Sequence, residues 1–238
     1  MRLLVVNPNT SVGVTRAIAH AAQAAAAPGD VVDTVHAPWG PELIVTREDG
    51  AVAEQAVLAC VEARGAGYDG MVIASFGDTA IEAVRARVSV PVVGIARAAF
   101  LAAMAVGERF SIVSFSPAIE PSLRAIVARY GLTERLASLR VLEDASWRDP
   151  AEIGDRLLEP LAHLCVRAQA DGGDAIVLGG GPLAGLAASI APRLDVPVID
   201  GVVAAVALQR ALVRPRPGAG SGPSSAADAR PGVPPSAG

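Results

Sequence analysis

The chain carries the same strand-and-turn pattern twice. Asp69-Gly70-Met71-Val72-Ile73-Ala74-Ser75-Phe76 is answered by Asp174-Ala175-Ile176-Val177-Leu178-Gly179-Gly180-Gly181, in each case an acidic approach, an apolar strand and a turn of small residues. Val90-Pro91-Val92-Val93-Gly94 is answered by Val196-Pro197-Val198-Ile199-Asp200, and Arg2–Asn7 by Arg109–Ser114. The offsets are 105, 106 and 107 residues (174 − 69, 196 − 90, 109 − 2). A repeat at so constant a spacing predicts two similar lobes: residues 1–96 and 97–200, with 201–213 expected to pack back on the first.

The repeated runs are short, apolar and mostly β-branched, as strands covered on both faces are. Strands are predicted at 3–6, 31–35, 71–74, 92–95, 111–114, 140–142, 175–178 and 198–199, with Ala-rich helical stretches between most of them. This alternation predicts an α/β fold with a parallel sheet flanked by helices in each lobe. Helix signals agree. Ser116-Pro117 reads as an N-cap followed by proline, and Gly131 as the stop. Asp149-Pro150-Ala151-Glu152 reads as a capping box opening a helix that reaches about Ala170. After Val213 the chain turns to Pro, Gly, Ser and Ala without apolar periodicity, so 214–238 is expected to be a disordered tail.

Composition removes several kinds of chemistry. All 20 basic residues are arginine, which excludes a lysine Schiff base and a phosphate-binding P-loop. Three histidines and two cysteines give no zinc spacing and no disulfide framework. No metal or cofactor is expected, and the default compartment is the reducing cytoplasm. No secretory leader and no apolar run of membrane-spanning length is read. A net charge of −4 and 3% aromatic residues argue against a nucleic-acid partner.

Ligands of parallel α/β sheets bind beyond the carboxyl ends of the strands. In a doubled layout four such loops face one cleft: 7–10, 75–78, 114–116 and 179–181. They are small, polar and rich in backbone donors, without a basic side chain.

At these residues the chain resembles the aspartate/glutamate/hydantoin racemase superfamily, its hydantoin and allantoin racemase branch in particular. Val5-Val6-Asn7-Pro8-Asn9-Thr10 is similar to the amino-terminal signature of that branch, and Ala74-Ser75-Phe76-Gly77-Asp78-Thr79 to its first catalytic loop. Val90–Ile95, Arg109–Val113, Tyr130-Gly131-Leu132, Ile176–Gly179 and Val196–Val202 follow in the same order. The resemblance covers about residues 1–213. It implies a pseudo-symmetric fold and a cofactor-independent enzyme acting at the α-carbon of a small carboxylate or cyclic amide through a carbanion or enolate. It also implies self-association. In the family, two thiols face each other across the cleft, because inverting a planar carbanion needs an acid and a base on opposite faces. Here the first thiol position is Ser75 and the second is Gly180, so the two-thiol mechanism is not expected to operate. A one-faced lyase, decarboxylase or isomerase, or a binding protein without turnover, are the alternatives on the same scaffold.

Other candidates keep two readings each. Ser75 is an oriented hydroxyl in the cleft or the cap of the next helix. Asp78 takes a proton, positions Ser75, or only answers a helix dipole. Asn9 and Thr10 hold a substrate carboxylate or cap the helix starting near Val12. Phe76, Gly77, Ser114 and Ser116 are placed at the site as strand-end residues. Gly180 and Gly181, within Gly179-Gly180-Gly181-Pro182, form an anion-binding nest or simply a tight turn. His36, beyond the second strand, is a general-base candidate or a loop histidine, with Glu42 a weaker one. Cys60 and Cys165 sit on apolar helix faces and read as core.

Overall fold

The computed structural model describes residues 1–143 and 149–213; the expected tail, 214–238, lies outside the described residues. The first half runs β1 (Arg2–Asn7), α1 (Val12–Ala25), β2 (Val31–His36), α2 (Arg47–Arg64), β3 (Gly70–Ile73), α3 (Ile81–Arg85), β4 (Val92–Gly94) and α4 (Ile95–Val106). The second runs β5 (Phe110–Ser114), α5 (Glu120–Arg129), β6 (Leu136–Val141), α6 (Ile153–Gln169), β7 (Ala175–Leu178), α7 (Ala187–Ile190), β8 (Val198–Asp200) and α8 (Gly201–Leu212). Two four-stranded parallel sheets result, in the orders β2-β1-β3-β4 and β6-β5-β7-β8. The fold is α/β, as the alternation of runs predicted.

Register follows the repeat. In the first sheet Met71, Val72 and Ile73 pair with Val92, Val93 and Gly94. In the second, Ile176, Val177 and Leu178 pair with Val198, Ile199 and Asp200. The flanking bonds are duplicated too. The Asp69 carboxylate accepts from the Arg2 amide at 2.7 Å, and the Asp174 carboxylate from the Arg109 amide at 2.9 Å. The symmetry weakens at the outer strands. Sheet pairing of β5 with β6 shifts register between Phe110 and Ser111. β6 starts at Leu136, four residues before the stretch 140–142 that marked it. It is half-buried along its whole length, which admits polar Ser138 and Arg140 among its apolar residues and hides the strand from an apolar search.

The central strands are buried: β3 and β7 at every residue, β1 after Arg2. Helices cover both faces, and each half sends its last helix to the other. From α8, Gln209 donates to the carbonyl oxygens of Met71 and Pro91 in the first half, and Arg210 pairs with Asp30 at 2.5 Å. From α4, Phe100 packs on Phe110 of β5, ring centroids 5.2 Å apart, on Phe76 at 5.7 Å and on Tyr130 at 6.0 Å. Burying four aromatic rings together joins the sheets through one core, since each ring removes on the order of 150–250 Å² from water. The exchange of helices holds the carboxyl ends of the two sheets against each other.

Local signals at helix starts are realised in part, the cap of α1 being Ser11 rather than Asn9 or Thr10. Ser116 accepts from the Ala118 amide ahead of Pro117, and Ser11 caps α1 by accepting from Val14. Asp149 accepts from the Ala151 amide and opens a 3-10 turn, Pro150–Glu152, rather than a full capping box. The complete box lies at Thr46 and Asp49, at the start of α2.

Candidate functional site

Where the two sheets meet, a cavity of about 500 Å³ opens. Ala74–Gly77 and Thr79 line it from the first half, and Gly179–Pro182 from the second. The ends of β3 and β7 come close here. A Cβ on Gly181 would lie 3.2 Å from the Ala74 carbonyl oxygen, tighter than most packed contacts. A residue without a side chain lets these strand ends approach closely without displacing either. Ser75 and Gly180, equivalent in the repeat, therefore share one cavity.

Ser75 is oriented by its own turn. Its hydroxyl donates to Thr79 Oγ1 at 2.9 Å and accepts from the Thr79 amide at 3.1 Å. The amides of Phe76, Gly77 and Gly180 donate no hydrogen bond within the described residues, which suits them to a developing oxyanion. Asn9 lines the cavity with an orientation set by neighbours. Its Oδ1 accepts from Asn7 Nδ2 at 2.8 Å and from the Ser11 amide at 3.0 Å. The amide nitrogen is left with two donors and no partner among the described residues.

Other expected residues lie elsewhere. Asp78 is buried and outside the cavity. Its carboxylate accepts from the Ala96 and Arg97 amides at 3.0 and 3.1 Å and from the Tyr130 hydroxyl at 2.5 Å. The carboxylate thus holds the start of α4 and the end of α5 together; Asp78 meets Ser75 through its backbone, its amide donating to the Ser75 carbonyl oxygen at 3.0 Å. Burial pushes its carboxyl above the ordinary range, against the pull of those three donors. His36 is exposed at the end of β2, its Nδ1 2.9 Å from the Ala37 carbonyl oxygen, and it borders a separate hollow beside Cys60. The structure does not bring it to the cleft, because β2 is the outer strand of its sheet. Glu42, next along that loop, is exposed and does not line the cavity. Thr10 is half-buried, its amide donating to Pro41 O at 3.0 Å. Ser114 donates to the Gly179 carbonyl oxygen, tying β5 to β7. The Ser116 hydroxyl is engaged as a cap. Cys60 and Cys165 are buried, and burial pushes the Cys165 thiol up to about 12, far from the thiolate form.

The strand-end loops carry no basic side chain, but Arg47 and Arg129, from outside those loops, also line the cavity. Among the described lining residues there is no carboxylate, imidazole or thiol. Thr79 was missed, although it stands four residues after Ser75 in the same turn. Also missed were the α5 face, Leu123, Ile126 and Arg129, and the loop Leu43–Val45. The α5 signal was present as apolar residues at helical spacing. For Leu43–Val45, a three-residue apolar run in a loop offers no period to read.

The arrangement has room for a small molecule against an apolar wall and brings hydroxyls, amides and guanidinium groups to the lining. No helix among the described residues is long and apolar enough to cross a membrane. Comparison with known proteins agrees with this geometry. Hydantoin racemase of Paenarthrobacter aurescens is 36% identical over 217 residues, covering 90% of this chain and 91% of that one. Hydantoin racemase of Pseudomonas sp. (strain NS671) is 35% identical over 219 residues, 90% of this chain and 86% of that one. The structure of allantoin racemase from Klebsiella pneumoniae superposes with a TM-score of 0.81 at 40% identity, covering 90% of this chain and 87% of that one. Residues 3–209 match the model of the Asp/Glu/Hydantoin racemase family. With both sheets, the cleft between them and nearly the whole described chain accounted for, this protein belongs to the Asp/Glu/hydantoin racemase family of enzymes.

Proposed function

We propose that the cleft takes a small cyclic amide or carboxylate and stabilises the enolate formed at its α-carbon, without a cofactor. The observation that carries this reading is the shared cavity of Ser75 and Gly180, with the free amides of Phe76, Gly77 and Gly180 around it. In this reading residues 1–96 with 201–213 form one lobe, residues 97–200 the other, and the substrate sits between them. The substrate oxygen faces the amides and Asn9. The α C–H bond breaks with its electron pair left in the enolate. Its proton passes to Ser75 Oγ as the Ser75 proton passes to Thr79 Oγ1 and the Thr79 proton to a solvent hydroxide ion, which leaves as water. The reverse relay returns a proton. Ser75 and Thr79 stand where proton handling is needed; the other two hydroxyls of the wall are engaged elsewhere, Ser122 donating to the Ile119 carbonyl oxygen and Thr46 capping α2.

A test is deuterium uptake at C5 of an enantiopure 5-substituted hydantoin in heavy water, followed by NMR against a protein-free control. Uptake is expected. Ser75→Ala is expected to lower it by about 100-fold or more. Thr79→Val, which keeps the shape and the amide but removes the acceptor hydroxyl, is expected to lower it about 10-fold with unchanged thermal stability. Full uptake by Ser75→Ala would overturn the relay.

One observation favours a second reading. The lining offers donors and no carboxylate, imidazole or thiol base, so an enolate made by losing CO2 would need only a proton donor here. Release of CO2 from a 2-substituted malonate, with no uptake of deuterium into hydantoins, would select that lyase.

A further inference from the structure

The two equivalent walls of the cavity are not equally open. A Cβ on Gly180 would lie 2.7 Å from Cε1 and 3.3 Å from Cδ1 of Phe115. The first distance is closer than carbon atoms pack, so a side chain at 180 and this ring cannot coexist as the protein stands. The ring is not at the end of a flexible arm. Phe115 is 1% exposed and follows Ser114, whose hydroxyl ties β5 to the Gly179 carbonyl oxygen. Phe115 also lines the cavity. At the equivalent place in the first half, Ser75 has both a side chain and a hydroxyl partner in Thr79.

We infer that Phe115 fills the volume a side chain at position 180 would occupy, and that it seals that face of the cavity with hydrocarbon. Protons then reach and leave the substrate α-carbon only on the Ser75 face. Phe115 is thus a residue that sets facial selectivity. This rests on the enolate reading above. The proton that breaks from the α-carbon leaves through Ser75 Oγ, and the proton or deuteron that returns takes the same path to the same face. The substrate is labelled without being inverted.

Two measurements test this, and they fail separately. The first is a thermal-denaturation cycle that needs no activity. Gly180→Cys is expected to lower Tm by roughly 3–10 °C, since overpacking is costly and a domain of this size moves a few degrees per unit of stability. In the Phe115→Ala background the same change is expected to cost less than about 2 °C. Equal losses in both backgrounds would overturn the packing claim.

The second follows enantiopure 5-benzylhydantoin in heavy water by NMR and chiral chromatography. The wild-type protein is expected to introduce deuterium at least 10 times faster than it forms the opposite enantiomer. The triple variant Ser75→Cys, Gly180→Cys, Phe115→Ala is expected to bring the two rates together. Equal rates in the wild-type protein would overturn the inference and leave the enolate reading standing. So would inversion by Ser75→Cys, Gly180→Cys with Phe115 kept that matches the triple variant. No deuterium uptake by any variant would overturn the enolate reading and the facial consequence with it, whatever the thermal cycle shows.

Discussion

The two halves solve one structural problem from opposite sides. Each must satisfy the amides at the start of the helix that follows its last strand. In the first half the carboxylate comes from the loop after β3. Asp78 reaches across to the Ala96 and Arg97 amides, and Gly94 is left bare to admit it, since a Cβ there would meet the Asp78 carboxylate. In the second half the position matching Gly94 is Asp200, which caps its own helix through Val202 and Val203 and accepts from the Gly185 amide at 2.5 Å. The backbone is duplicated, while the side chain that serves it has changed strands. The same has happened in the cleft, where Ser75 faces a glycine. A duplicated scaffold therefore preserves backbone hydrogen bonds and leaves the choice of chemistry at each strand end open.

Moving the carboxylate is the most severe way to break this comparison. Asp78→Ala leaves two helix amides and the Tyr130 hydroxyl without their acceptor and is expected to cost about 3 kcal/mol or more. Gly94→Asp alone is expected to cost as much, by collision. The pair Asp78→Gly with Gly94→Asp recreates the second half's arrangement in the first, and is expected to cost clearly less than the sum of the two. Chemical denaturation of the three variants measures this; strict additivity would show that the two positions do not exchange roles.

A smaller effect sharpens the comparison. Ala80 and Gly185 are equivalent, 105 residues apart, and both have left-handed backbone, φ 64° and 88°. Alanine is strained there and glycine is not. Ala80→Gly is expected to stabilise the protein by roughly 0.5–1 kcal/mol, less than the full strain because glycine also loosens the unfolded chain. Loss of stability in the same denaturation experiment would refute it.

The smallest effect concerns how each outer strand is tied to the turn before the third strand of its sheet. In the first half Tyr68 donates its hydroxyl to Asp33 at 2.8 Å. In the second, Arg140 grips Asp171 with two bonds of 2.6 and 2.7 Å. The guanidinium holds the Asp171 carboxyl down from 3.8 to about 2. A carboxyl held low in the folded state contributes stability above pH 4, and that contribution fades as pH falls toward 2. Both groups are partly exposed, so the effect is small. Thermal midpoints between pH 5 and 2 are expected to fall less steeply for Asp171→Asn than for the parent; parallel curves would discount the pair.

Much of this was legible in the chain. The repeat located both sheets because buried parallel strands must be continuously apolar, and each such run was found within a residue or two except β6. Its residues are all half-buried and include Ser138 and Arg140, so it carried no continuous apolar run. The strand-end loops pointed to Ser75, Phe76, Gly77, Gly180 and Gly181, all of which line the cavity. Asp78, His36, Thr10, Ser114 and Ser116 sit in those same loops or near them, and a loop's place in the chain does not say which way its side chains turn.

What the sequence by itself determined is the doubled α/β frame and the pairing of position 75 with position 180, because apolar periodicity and spacing are properties of the chain. What only the tertiary structure decided is which groups share the cavity. Arg129 and Leu43 arrive from segments outside the strand-end loops, Asp78 turns its carboxylate away to hold α4, and the ring of Phe115 takes the space beside Gly180. Each of these depends on volume and hydrogen-bond competition between residues distant in sequence, and no local pattern encodes that competition.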